Sequence, residues 1–385
     1  MNRIAYFDNA ATTFPKPEVV YSFMDKFYRE CGTNVGRGQH KLASQAGFLV
    51  SETRELLLSL NHCPSKRVVF TSTATEALNI ILRGIRLSNG SNVYISPFEH
   101  NAVIRILHYL SQSVSLNIIT LAFNEEDYTY DPEKIGYQFS EQSPSLVVIS
   151  HASNVCGIIA PIIEIASLAK RYRAINVIDM CQTMGLIDTD ISVSCIDFAV
   201  FSGHKKLYGP FGIAGFICSA DVELEPFLYG GTGFDSASKV LPATIPEKFE
   251  VGSPNIMSIA GLNASLKWLL SVGIAKIFEV ERHNLNFLIE ILKKYNNIKT
   301  VSLKNVDNMV GIISCFFEGY SSDNIGQILS NLDVAVRSGL HCAPDAHKYL
   351  KTFPSGTVRF SVSYFNDEND FIKLKNALSY IRDNT

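Results

Sequence analysis

A few residues of this 385-residue chain stand where their chemistry is unusual. The segment Ser202-Gly203-His204-Lys205-Lys206-Leu207-Tyr208-Gly209-Pro210 follows an apolar run and is rich in turn formers. A lysine at such a junction is ordinarily a solvated charge. Partly desolvated, its amine becomes a nucleophile that can form a Schiff base. Asp179 closes another apolar run, where a carboxylate either caps a turn or pairs with a pyridinium nitrogen. Thr73-Ala74-Thr75-Glu76 opens a helical pattern. Hydroxyl residues there are common N-caps, and the free N–H groups of a helix start also suit a phosphate. His100 follows Glu99 at a further run's end; its flat ring either stacks on a planar ligand or is structural. Cys342 lies between His341 and Ala343, near Gly339 and Pro344, in loop-like sequence. Exposure beside Arg337 and His341 favours a thiolate there.

These residues need elements to hold them. Short β-branched runs alternate with helical patterns: 68–70 then 75–85, 92–96 then 100–111, 146–150 then 161–173. Further runs follow at 177–179, 198–201 and 213–217. The alternation predicts an α/β fold with a mostly parallel central sheet covered on both faces. Ligands of such folds gather at the carboxyl ends of the strands, and residues 73–76, 99–100, 154, 179 and 202–205 all follow predicted strand ends. From about 220 to 256 the pattern breaks around Gly230-Gly231-Thr232-Gly233, Pro242, Pro246 and Pro254. An irregular segment of that length is usually functional. A helix returns after 257, and 309–317, 334–337 and 356–362 predict strands of a smaller α+β unit.

Composition narrows the class. Apolar residues make up 46% and charged residues 18%, which predicts a large core and excludes a disordered chain. A net charge of −3 leaves no electrostatic footprint for nucleic acid or an anionic membrane. Cysteines 31, 63, 156, 181, 195, 218, 315 and 342 show no paired zinc or thioredoxin spacing, which argues against a metal centre. They are too sparse for a disulfide scaffold and predict reduced, mostly buried thiols in a cytoplasmic protein. No run reads as a membrane span, and Met1 to Asp8 does not read as a secretory leader.

A lysine, a strand-end acid, a phosphate-ready helix start and a planar side chain together describe a pyridoxal phosphate site. Here the chain resembles the cysteine desulfurases, enzymes on the class V aminotransferase fold, almost end to end. The resemblance rests on Phe7-Asp8-Asn9-Ala10-Ala11-Thr12, Gly36-Arg37-Gly38-Gln39-His40, Ala74-Thr75-Glu76-Ala77-Leu78-Asn79 and Glu99-His100-Asn101-Ala102-Val103. It continues through His151-Ala152-Ser153-Asn154-Val155, Asp179-Met180-Cys181-Gln182, Gly203-His204-Lys205 and Phe249-Glu250-Val251-Gly252-Ser253-Pro254-Asn255. Arg337-Ser338-Gly339-Leu340-His341-Cys342-Ala343 and residues 359–366 complete it. The segment around Cys342 resembles the short-loop group, which includes selenocysteine lyases.

The resemblance implies an aspartate aminotransferase-like fold with a large domain, 17–256, and a small domain from 1–16 together with 257–385. It implies that Lys205 carries the cofactor, that Asp179 holds its ring nitrogen and Gln182 its ring oxygen, and that His100 stacks on the ring. Ala74, Thr75, Ser202 and His204 would hold the phosphate, with Gly252 and Ser253 reaching it from a partner subunit of a homodimer. Asn154, which would also contact the cofactor, and Arg359 would bind the substrate carboxylate. Cys342 would take sulfur from L-cysteine as a persulfide, release L-alanine and pass the sulfur to a protein acceptor, as in iron–sulfur cluster assembly. Selenocysteine lyase, cysteine sulfinate desulfinase or another reaction on the same scaffold is the alternative. A non-catalytic binding protein is a distant one, against which the intact Lys205, Asp179, His100 and Cys342 set argues. Three positions depart from the family pattern: Lys206 as a second lysine, Ser253 where a threonine is common, and Cys181 where a small residue is usual.

Overall fold

The computed structural model describes residues 3–35, 38, 40–233, 237–301 and 306–384. Gly36, Arg37 and Gln39 of the 36–40 motif lie outside the described residues. The chain opens with β1 (Ala5–Tyr6), α1 (Glu18–Cys31) and α2 (Lys41–Leu60). The central layer is built by β2 (Arg67–Thr71), α3 (Ala74–Gly84), β3 (Ser91–Ile95), α4 (Asn101–Leu110) and β4 (Leu116–Thr120). A small hairpin, β5 (Phe123–Asn124) and β6 (Thr129–Tyr130), precedes α5 (Pro132–Glu141), β7 (Leu146–Ser150), α6 (Ile162–Lys170), β8 (Ile175–Asp179), β9 (Phe198–Ser202) and β10 (Ala214–Cys218). After the irregular segment come α7 (Ile256–Val272), α8 (Ile274–Leu292), β11 (Ile298–Thr300), β12 (Ile312–Phe317) and α9 (Ser322–Asn331). The chain closes with β13 (Val334–Ala335), β14 (Arg337–Gly339), α10 (Pro344–Tyr349), β15 (Thr357–Ser361) and α11 (Glu368–Asp383).

Seven strands form the main sheet in the order β2-β10-β9-β8-β7-β3-β4. The mostly parallel expectation holds, with β10 alone running against both of its neighbours. Chain length explains the reversal: residues 203–213 are too few for the crossover that a parallel neighbour needs. β7, β9 and β10 are buried along their whole length because both faces are covered there, whereas the edge strand β4 is part-exposed. Successive side chains of β7 alternate between two clusters. Leu146 and Val148 join Ile81 of α3 and Ile106 of α4, whereas Val147 and Ile149 join Phe139 of α5 and Ile165 of α6.

Local signals set the helix starts beneath the site. Thr73 caps α3 by accepting from the Glu76 N–H at 3.1 Å, and the Glu76 carboxylate accepts from the Ser72 N–H at 2.8 Å. His100 caps α4, its Nδ1 accepting from the Ala102 N–H at 3.0 Å. Such caps satisfy donors that a helix start leaves free.

A second sheet, β11-β12-β15-β14, is antiparallel throughout. Its core unites Ala5 and Phe7 from the chain start with the latter half of α8, β12, α9, β15 and α11. The buried face of α7 joins the first core instead and packs on α1 and α2. Seven cysteines are buried, and Cys342 alone is part-exposed. Among the described residues no single helix is long and apolar enough to cross a membrane. The α7–α8 pair meets that standard only together, bent by 84°.

Candidate active site

The carboxyl ends of β2, β3, β7, β8 and β9 converge on a cleft of about 260 Å³. Nine of the residues named from the sequence line it: Ala74, Thr75, His100, Asn154, Asp179, Gln182, Ser202, His204 and Lys205. Asp179 ends β8, and its Oδ1 accepts from the Cys181 N–H at 2.9 Å. Lys205 follows β9, and its ammonium has no ion-pair partner among the described residues. Burial first, then the charge of Lys205, holds His100 down to about 4. The ring is therefore neutral, and because Nδ1 accepts from Ala102 its proton is on Nε2. Burial and the charges of Lys205 and Lys16 likewise hold His204 down to about 3.

Among the described residues, two buried polar atoms of the cleft lack a protein partner. These are Gln182 Oε1, whose Nε2 donates to the Ala10 carbonyl at 2.9 Å, and His204 Nδ1, whose ring stacks on Phe211 at 4.5 Å. A buried polar group without a partner is costly, so both are positioned for a ligand that fills the cleft.

Cys342 stands on the cleft's flank. It lines a neighbouring recess of about 420 Å³ that shares Thr75, His100 and Ala102 with the cleft. Arg337 Nη2 donates to Cys342 Sγ at 3.2 Å. His341 and Cys342 both adopt left-handed backbone, at φ 49° and 59°. Two bonds from the large layer pin this strained turn: the Asn101 N–H donates to the Cys342 carbonyl at 2.7 Å, and Asn154 Nδ2 donates to the His341 carbonyl at 2.8 Å.

Arg359 and the pair Gly252 and Ser253 do not line the cleft. Arg359 is buried behind Asn154. Its Nη1 donates to the Asn154 carbonyl at 2.9 Å, its Nη2 to Asp8 Oδ1 at 2.6 Å, and its Nε is buried without a partner. Gly252 and Ser253 are exposed, in a separate depression with Gly231, Gly212 and Glu76. Lys206 points away from Lys205. Its ammonium is fully buried between both carboxylate oxygens of Glu281, each at 2.6 Å, and Glu281 also accepts from the Gly311 N–H at 3.0 Å.

Three participants escaped the sequence reading. Asp8 belongs to the first of the motifs but carried no role there, since nothing linear marks a partner 351 residues away. Lys16 donates to the His204 carbonyl at 2.6 Å and to Thr13 Oγ1 at 2.7 Å; no carboxylate pairs with it among the described residues, and burial pulls it down to about 7. Glu99 is buried, accepts from the Ser96 hydroxyl at 2.5 Å and the Ser150 N–H at 2.6 Å, and is pushed up to about 7 by burial.

Fold and site together define a class. The aminotransferase class-V family matches residues 5–374, and the chain belongs to that family, whose members use pyridoxal phosphate. The chain is 31% identical over 384 residues to a probable cysteine desulfurase of Methanothermobacter thermautotrophicus, covering 98% of this chain and 94% of that one. It is 30% identical over 387 residues to the cysteine desulfurase of Escherichia fergusonii, covering 98% and 93%. The apo structure of a cysteine desulfurase from Thermococcus onnurineus NA1 matches with a TM-score of 0.91 at 26% identity, over 99% of this chain and 95% of that one. These likenesses bear out the family and the fold expected from the motifs.

Proposed function

We propose that this protein is a pyridoxal phosphate-dependent cysteine desulfurase. It converts L-cysteine to L-alanine, collects the sulfur as a persulfide on Cys342 and passes it to a protein acceptor. The observation that carries this reading is one cleft holding Lys205, Asp179 and a neutral His100, with an arginine-paired cysteine on its flank. The unpartnered Gln182 Oε1 and His204 Nδ1 make the cleft a fit for the cofactor. Lys205 would hold it through its amine, Asp179 at the ring nitrogen, Gln182 at the ring oxygen and His100 at the ring face. Ala74, Thr75, Ser202 and His204 would hold the phosphate. Gly252 and Ser253 are exposed and outside their own cleft, which favours a homodimer in which each copy completes the other's phosphate site.

When bound, the cofactor supplies an electron sink for the substrate's α-carbon. Lys205 Nζ removes and returns the proton at that carbon. Asn154 and Arg359 orient the substrate carboxylate, and the partnerless Arg359 Nε is the donor left over from Asp8 and Asn154. Cys342 Sγ, to which Arg337 Nη2 donates, attacks the substrate sulfur as a thiolate; the S–S bond forms as the substrate's Cβ–S bond breaks, and that bond's electron pair stays with the carbon skeleton that becomes alanine.

The test is alanine release from L-cysteine, selenocysteine and cysteine sulfinate by wild type and Cys342→Ala. Wild type releases alanine from cysteine, whereas the variant keeps the cofactor's yellow colour and loses that activity. Equal cysteine activity in both proteins overturns the persulfide route. Release from selenocysteine or sulfinate alone assigns the other reaction of the scaffold.

A further inference from the structure

We propose that the recess beside the cleft receives the sulfur acceptor, and that the acceptor presents its cysteine between acidic residues. This rests on the persulfide reading above and specifies the partner that reading leaves open. The recess lies against α3 and α4, and Cys342 is the thiol in its wall. Arg83 and Arg105 line it, and Arg337 stands against Cys342 Sγ. Among the described residues no carboxylate lines it. Arg83, Arg105 and Arg337 have no ion-pair partner among the described residues, so their charge faces whatever enters. Arg83 is held by rings rather than by an acid: its guanidinium carbon lies 3.9 Å from the Phe227 centroid and 5.4 Å from that of Tyr109. Stacking leaves the edge donors of a guanidinium available.

The substrate does not account for these arginines. A small amino acid carries one carboxylate, to which the preceding reading assigns Asn154 and Arg359, and neither lines the recess. A volume of about 420 Å³ admits a few residues of extended chain and no folded domain, so an acceptor protein would enter by a loop tip. Cationic walls around the reacting sulfur favour carboxylates flanking the incoming thiol, through encounter rate and through discrimination against other partners.

The chemistry balances without a further reactant. The acceptor thiolate attacks the outer sulfur of the protonated Cys342 persulfide. A bond forms between acceptor sulfur and outer sulfur, and the bond from that sulfur to Cys342 Sγ breaks. Its electron pair leaves on Sγ, beside the Arg337 guanidinium, and the proton stays on the outer sulfur, now the acceptor's persulfide.

The experiment uses holoenzyme given one equivalent of L-cysteine, then mixed with capped tripeptides whose cysteine is flanked by two Asp, two Asn or two Lys. Sulfur transfer is followed by rapid quench, and persulfide on Cys342 is measured in the same samples. Transfer to the Asp peptide exceeds that to the Asn peptide by roughly tenfold at low salt, the Lys peptide is slowest, and the preference shrinks at physiological salt. The double variant Arg83→Gln, Arg105→Gln loses the preference, and Arg83→Lys, Arg105→Lys retains it. Equal transfer to the three peptides by wild type, a preference that survives in the Gln variant, or a Gln variant altered only in its KM for cysteine overturns the proposal. Absence of persulfide in wild type overturns the preceding reading instead.

Discussion

The cleft and the buried surroundings of Glu281 treat one residue type in opposite ways. Lys205, in the cleft, has no ion-pair partner among the described residues. Lys206, one residue on, is held by both oxygens of a buried Glu281 that is anchored by the Gly311 N–H. The chemistry of a lysine is thus decided by its surroundings. A charge closed off by its counter-ion has no donor to spare, and one left open in a partly desolvated cleft is free to react. Arg359 is the intermediate case, buried and paired with Asp8 but with Nε unused. Lys16 is the extreme one, burying its charge against a carbonyl and hydroxyls only.

The largest effect tests the pair itself. Lys205→Ala lowers alanine release by roughly 10²–10⁴-fold or more and abolishes cofactor colour, whereas Lys206→Met keeps the colour. The reverse pattern would exchange the two roles. Next is stability. Lys206→Met strands the Glu281 charge and costs about 3–5 kcal/mol, read as a lower melting temperature. Adding Glu281→Leu restores most of the loss, short of the bond to Gly311. A double variant no better than the single one would show that the pair matters for more than its charge.

Arg359→Lys comes third. It keeps the charge and removes the Nε donor, so KM for cysteine rises roughly tenfold with a smaller change in kcat. A change in kcat alone would place Arg359 outside carboxylate binding.

The smallest effects are in pH dependence. Glu99 lies at about 7 in the folded chain, above its ordinary 4.5. The folded state then holds the extra proton, so this group's contribution to stability falls as pH rises from 4.5 to 7. Lys16 lies at about 7, below its ordinary 10.5. The unfolded state then holds the extra proton, so stability rises with pH from 7 to 10.5. Melting curves across both windows should show Glu99→Gln flattening the acid side and Lys16→Met the alkaline side. A Lys16→Met curve parallel to wild type above pH 7 would mean that Lys16 stays charged through contacts with its oxygens.

The sheet was legible because its strands are short β-branched runs ending in chemically unusual residues. Strand direction was not: residues 213–217 read as a strand, and only the brevity of the link from β9 reverses it. α1 and α2 left no comparable mark. α2 carries Ser44, Gly47, Ser51 and Ser59, and its packing against α7 is set by partners some 200 residues away. Within the site, residues beside strand ends were readable because this fold type gathers the strand-end loops at one edge of the sheet. The Asp8–Arg359 and Lys206–Glu281 pairs were not, since each joins distant segments through the tertiary fold.

The burial of seven cysteines and the part-exposure of the eighth have a practical consequence. A maleimide dye of modest size should attach once per native chain, at Cys342, and eight times after denaturation. The protein therefore carries a built-in reporter in the wall of its own recess. An acceptor loop seated there would slow labelling of Cys342, so protection from the dye reads docking with no engineered label site.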